Sequence, residues 1–133
     1  MYEKLGFFIN GEWRTGSGKG EDVLNPANES VLAFLPHASQ KDLEDALESA
    51  QRGFKIWKNT PVQKRAKILQ KTADLIEERS EQIARIITLE QGKPLRESQG
   101  ELLRTVETFR WNAENSIENI EKRQKPGLAQ ANY

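Results

Sequence analysis

The sequence contains no cysteine. That excludes a disulfide-stapled scaffold and thiolate metal centres, and it removes the thiol from the list of nucleophiles this chain can offer. Long apolar runs are also missing. No stretch approaches the roughly 20 apolar residues a membrane span needs, and Met1-Tyr2-Glu3-Lys4-Leu5 has neither the basic start nor the apolar run of a signal peptide. Charge of one sign is not in excess: 20 Lys and Arg balance 20 Asp and Glu. The electrostatic case for a nucleic-acid or acidic-membrane partner falls with that balance. These absences lead to the expectation of a cytoplasmic protein with no nucleic-acid and no membrane partner. His37 is the one histidine; with no cysteine and no carboxylate pair nearby in sequence it lacks the partners of a metal or nucleophile–base site, and it reads as a loop residue before a helix start.

What is present is a chain of 133 residues, 36% hydrophobic and 30% charged, long enough for one domain and polar for a compact one. Its first third reads as short strands. Phe7-Phe8-Ile9 runs through Asn10-Gly11 into Glu12-Trp13-Arg14, and Asn-Gly between apolar segments signals a hairpin because both central residues of a type I′ turn need φ > 0. A loop, Gly16 to Gly20, precedes strands expected at 21–24, ended by Asn25-Pro26, and at 31–35, closed by Pro36. The rest is helical. Ser39 with Asp42 resembles a capping box, and Leu43, Ala46, Leu47, Ala50, Phe54 and Trp57 follow at helical spacing over 40–57. Thr60-Pro61-Val62-Gln63 reads as a second start, with Thr60 as N-cap, for a helix over 61–92 kinked near Ser80 and carrying Ala66, Leu69, Ala73 and Ile76 inward. Gly92 is the stop, and Pro94 opens a third helix over 94–120 with Leu95, Leu102, Val106, Phe109, Ala113, Ile117 and Ile120 on one face. Gly100 within it costs about 1 kcal/mol relative to alanine, which points to a close helix contact there.

The expected fold class is therefore α+β: an N-terminal hairpin and short strands followed by three long amphipathic helices, with 121–133 as an irregular tail. Val31 to Leu35 is a continuous apolar run, the pattern of a strand covered on both faces. Three helices on one side cannot cover both, so the chain reads as a piece of a larger α/β body with apolar surface left bare around Val31 and Phe34 and around Leu102, Val106 and Phe109. A small self-contained α+β domain is the alternative.

Gly16-Ser17-Gly18-Lys19-Gly20 fails both phosphate-loop templates, since Gly20 follows Lys19 where Ser or Thr is required and Glu21 stands where the dinucleotide pattern needs glycine. Trp13, Trp57 and Trp111, scattered and without a basic stripe, read as core packing rather than a stacking platform. Glu90, Glu97 and Glu101 form no single cluster because Gly92-Lys93-Pro94 interrupts the helix between them, and a solvated face is the default for such acids.

From Phe7 to about Ile120 the sequence resembles the N-terminal part of the NAD(P)-dependent aldehyde dehydrogenases. The resemblance lies in Phe8-Ile9-Asn10-Gly11-Glu12-Trp13 and Asn25-Pro26-Ala27-Asn28-Glu29. It continues through Phe54-x-x-Trp57, Arg65-Ala66-x-Ile68-Leu69, and Leu75-Ile76-Glu77-Glu78-Arg79. Its most specific stretch is Leu89-Glu90-Gln91-Gly92-Lys93-Pro94-Leu95 with Glu97, Gly100 and Glu101, followed by Phe109-Arg110-Trp111-Asn112-Ala113. The wording of that stretch leans toward the semialdehyde dehydrogenases. The resemblance implies that residues 1–120 are scaffold associated with a cofactor domain. It also implies that the cysteine nucleophile, glutamate base, oxyanion-steadying asparagine and main NAD(P)-binding residues lie downstream of the matched region. No catalytic or cofactor-binding residue is therefore assigned here; NAD or NADP is expected in the complete enzyme and none on this chain alone. One metal site is implied: Glu101 with the main-chain carbonyls of Val23 and Leu24, oxygens suited to a hard monovalent cation. Two readings follow. The chain is the N-terminal portion of an aldehyde dehydrogenase, inactive alone; or it is a helical partner-binding module, including one half of a split dehydrogenase. Self-association or a complementary dehydrogenase fragment is the expected partnership.

Overall fold

The structure, a computed structural model, describes residues 5–16 and 19–124, with side chains as far as residue 117. β1 (Phe7–Ile9) and β2 (Glu12–Arg14) form the expected hairpin, with Phe8 opposite Trp13. Its turn works as the sequence requires: Asn10 has φ 54° and Gly11 φ 84°. β3 (Gly20–Leu24) and β4 (Val31–Pro36) make a second, separate antiparallel ribbon, with a register shift between Val23 and Leu24. The corner joining them is closed by short polar side chains. Asn25 Oδ1 accepts from Ala27 N at 2.9 Å, and Asn28 Oδ1 accepts from Ser30 N at 3.1 Å, which lets Glu29 hold φ 59°.

α1 (Gln40–Asn59) starts at a complete capping box: Ser39 N and Oγ both donate to Asp42 Oδ2, and Asp42 N donates back to Ser39 Oγ. The expected cap at Thr60 is not made. Its hydroxyl donates to the Ile56 carbonyl at 2.9 Å, closing α1, and α2 (Val62–Glu78) starts behind Pro61 with no side-chain cap. The kink expected near Ser80 is a full break at Arg79, giving a separate α3 (Ser80–Gln91). Among the described residues four helices thus stand where three were expected. Gly92, at φ 70°, ends α3 as a left-handed cap. α4 (Leu95–Gln124) runs past Ile120, so 121–124 are helical rather than tail; the Ile120 side chain and residues 125–133 lie outside the described residues.

The core sits where α4 crosses α2 and α3. It is built from small side chains, with Val62, Ala66, Ala73 and Ala84 facing Leu102, Val106 and Ala113. Of the face expected to be exposed, Phe109 is half-buried, but Leu102 and Val106 are only 6% and 4% exposed, because α2 and α3 together cover them. Gly100 is not the close contact either. A Cβ there would meet nothing nearer than Arg104 Nη1 at 3.7 Å. The tight residue is Ser98, fully buried, its Oγ 2.9 Å from Thr88 Oγ across the α3–α4 junction.

Candidate functional site

Two features distinguish the surface. The first is the acidic corner where α4 starts. Glu101 projects from the second turn of α4, and Lys93 Nζ lies 2.7 Å from its carboxylate. The Asn25–Pro26 corner reaches the same place, because a Cβ on Gly92 would stand 2.9 Å from Pro26 Cγ. Val23 and Leu24, the other two residues of the expected cation site, sit in β3 just before that corner, opposite Ala33 and Val31. In this chain an ammonium already matches the Glu101 charge, so a cation shared with the Val23 and Leu24 carbonyls would compete with Lys93. Among the described residues no group of three His, Asp or Glu side chains is placed to hold a metal. Glu97 is exposed on the first turn of α4, apart from Glu101's ion pair.

The second feature is bare apolar surface. On β4, Val31 is 58% and Phe34 51% exposed, as the unbroken apolar run implied. α1 is uncovered as well, which its sequence did not announce: Leu47 is 67% and Phe54 65% exposed, and no α1 residue is buried. The three tryptophans expected in the core are exposed too. Trp13 tilts against Phe8 at 5.3 Å on the outside of the hairpin, Trp57 lies 5.9 Å from the Arg65 guanidinium, and Trp111 stands on the outer face of α4.

Among the described residues nothing assembles nucleophile, base and oxyanion donor. His37 is a loop residue as expected, exposed, its Nε2 3.8 Å from Glu21 Oε1. An open groove of about 430 Å³ beside α3 and α4 is lined by Glu77, Glu81, Leu95, Gln99 and Leu103, and both acids are already paired, Glu77 with Arg110 at 2.6 Å and Glu81 with Arg85 at 2.9 Å. The glycine loop does not fit a dinucleotide. It joins β2 to β3 and opens no helix, and Gly16 and Gly20 are spent on packing: Cβ atoms on them would run into the carbonyls of His37 and Leu35. Charge is placed for structure instead. Arg14 Nη1 donates to Asp45 at 2.7 Å, which holds that carboxyl below the usual range, and Ser39 does the same to Asp42.

Comparison with known proteins accounts for this combination of ordered scaffold and missing chemistry. The family model "Aldehyde dehydrogenase family" matches residues 13–132, further along the chain than the motifs noted above. The chain is 43% identical over 107 residues to malonate-semialdehyde dehydrogenase 2 of Geobacillus kaustophilus, covering 80% of the chain and 22% of that protein. It is likewise 43% identical over 112 residues to the malonate-semialdehyde dehydrogenase of Halalkalibacterium halodurans, covering 84% and 23%. Among solved structures, the NADP-dependent glyceraldehyde-3-phosphate dehydrogenase of Bacillus halodurans C-125, complexed with NADP, superposes with a TM-score of 0.81 at 34% identity, over 85% of this chain and 24% of that one. A betaine aldehyde dehydrogenase of Staphylococcus aureus in complex with NAD+ gives 0.75 at 31%, over 80% and 22%. The chain thus spans less than a quarter of the length of these relatives.

Proposed function

The chain belongs to the aldehyde dehydrogenase family, and from that premise we propose that it supplies the N-terminal scaffold of an NAD(P)-dependent dehydrogenase that oxidises an aldehyde to the carboxylic acid. The observation that carries the reading is the pairing of family membership with an incomplete surface. The β4 run Val31 to Leu35 has the composition of a strand covered on both faces, yet Val31, Phe34 and Leu35 on it are exposed. In the relatives the matched residues are embedded in a chain more than four times longer, and the rest of such a body is the natural cover. The substrate proposed is a semialdehyde, on the strength of the malonate-semialdehyde dehydrogenases among the relatives.

The role of this chain is to hold a frame rather than to react. With no cysteine in its sequence, the thiol nucleophile of such an enzyme must come from residues outside these 133, and so must the NAD(P) site, since the glycine loop does not fit a dinucleotide. Lys93 and Glu101 tie the start of α4 to the end of α3, and Pro26 wedges the β3–β4 corner against Gly92. A cation at Glu101, Val23 and Leu24 is proposed only as a competitor of Lys93, and the setting proposed for the enzyme is the cytoplasm.

The test is a thermal shift of the purified chain on adding the remainder of a malonate-semialdehyde dehydrogenase expressed as a separate polypeptide. The chain's midpoint should rise with added fragment, and backbone amides of β4 should gain protection from exchange. No shift at saturating fragment, with β4 exchange unchanged, would remove the reading. A second reading, a helical partner-binding module, gains support only from the bare α1 stripe.

A further inference from the structure

α1 is attached to the rest of the chain by its polar side. Asp45 takes the Arg14 guanidinium at 2.7 Å, and Arg52 donates to Asn10 Oδ1 at 3.3 Å, both toward the hairpin. At 3.6 residues per turn, the stripe Leu43, Leu47, Ala50, Phe54 and Trp57 lies on the opposite side, and it is the side left open. Charge along the helix is segregated. Asp42, Glu44, Asp45 and Glu48 occupy the first half with Lys41, while Arg52, Lys55 and Lys58 occupy the second with no acid among them.

We propose that two copies of this chain pair through α1, antiparallel about a twofold axis near Ala50. In that register Leu43 meets Trp57 of the second copy, and Leu47 meets its Phe54. The small residues Ala46, Ala50 and Gly53 fall at the crossing, where the backbones approach; Gly53 has open space where a Cβ would stand. Glu44 lies on the same flank of the stripe as Lys55 and Lys58. Antiparallel pairing brings like flanks together and sets it against those two lysines of the second copy, whereas parallel pairing would face it with the opposite flank, where Ala46 and Gly53 offer no charge. Within its own chain Glu44 accepts a hydrogen bond from the Gln40 amide at 3.0 Å and, among the described residues, forms no ion pair. The same contact serves both copies, as a closed twofold interface requires. The stripe is about 21 Å long at 1.5 Å per residue, short for an interface of about 1,200–2,000 Å². The pair is accordingly a reversible dimer. This inference concerns the chain by itself and does not depend on the family reading, so either can fail without the other.

Sedimentation equilibrium of the 133-residue chain from micromolar to millimolar concentration tests it. A monomer–dimer equilibrium is expected, and Leu47→Glu should raise the dissociation constant about tenfold or more. Leu47 is exposed in the single chain, so circular dichroism should show the variant folded. Glu44→Lys should also weaken the dimer, and adding Lys55→Glu and Lys58→Glu should restore it. Because the sequence is free of cysteine, Ala50→Cys gives a single thiol near the axis, where the two Cα atoms can come within the roughly 7 Å a disulfide needs. It should cross-link under mild oxidation, and Leu43→Cys should not. A chain that stays monomeric throughout, an association indifferent to Leu47→Glu, or equal cross-linking through Leu43→Cys would overturn the proposal.

Discussion

Gly92 holds φ at 70° with Pro26 Cγ 2.9 Å from where a Cβ would stand, while Gly100 sits mid-helix with nothing nearer than 3.7 Å. The same substitution should therefore act in opposite directions. Gly92→Ala must accept both a left-handed backbone and a proline collision, and should destabilise by about 1–3 kcal/mol. Gly100→Ala should stabilise by about 0.5–1 kcal/mol, because it removes backbone freedom from the unfolded chain and meets no neighbour. Chemical denaturation of the two variants beside the parent checks both signs. Ser98 is a third residue of this kind. Fully buried against Thr88, it has room for no larger side chain, and Ser98→Leu should cost about 1–3 kcal/mol through overpacking, with the Thr88 hydroxyl stranded in addition.

At the scale of the element, the parts legible in the sequence were those set by neighbours a few residues away. Asn10-Gly11 gave its turn, Ser39 and Asp42 their box, and Gly92 its stop, since each is a local matter of φ or of one hydrogen bond. What spacing could not tell is which stripe finds cover. The Leu102–Val106 stripe and the α1 stripe look alike in sequence; α2 and α3 bury the first, and nothing covers the second. Thr60 misled because it also ends α1, where its hydroxyl donates to the Ile56 carbonyl four residues back instead of capping α2. The cation site was legible only through family resemblance, and the local sequence did not reveal that Lys93 would fold back onto Glu101. The start of α1 also carries a pH dependence. Hydrogen bonds from Ser39 to Asp42, and from Arg14 and Lys41 to Asp45, depress both carboxyl pKa values. A depressed acid contributes stability above its unfolded pKa and loses it as pH falls through the folded value. The thermal midpoint should thus hold near neutrality and decline as pH drops below about 4, and Asp45→Asn should flatten part of that decline.

At the scale of the whole molecule, the described core is a seam of alanines and valines between α4 and its two neighbours, with two ribbons and α1 attached at the rim. Apolar burial contributes about 25 cal/mol per Å², so the bare faces of β4 and α1 represent stability not realised in the single chain. No helix among the described residues is long and apolar enough to cross a membrane. Family membership, the absent thiol and the exposed β4 strand motivate the central proposal, that these residues frame an aldehyde dehydrogenase and do not perform its chemistry. The most direct test follows reduced nicotinamide formation from a semialdehyde with NAD or NADP. The assay would use the purified chain, a cysteine-bearing dehydrogenase remainder, and the two mixed. The account predicts no turnover by the chain at any concentration and a rate on mixing that saturates with added chain. Turnover that tracks the 133-residue polypeptide alone through purification would contradict it.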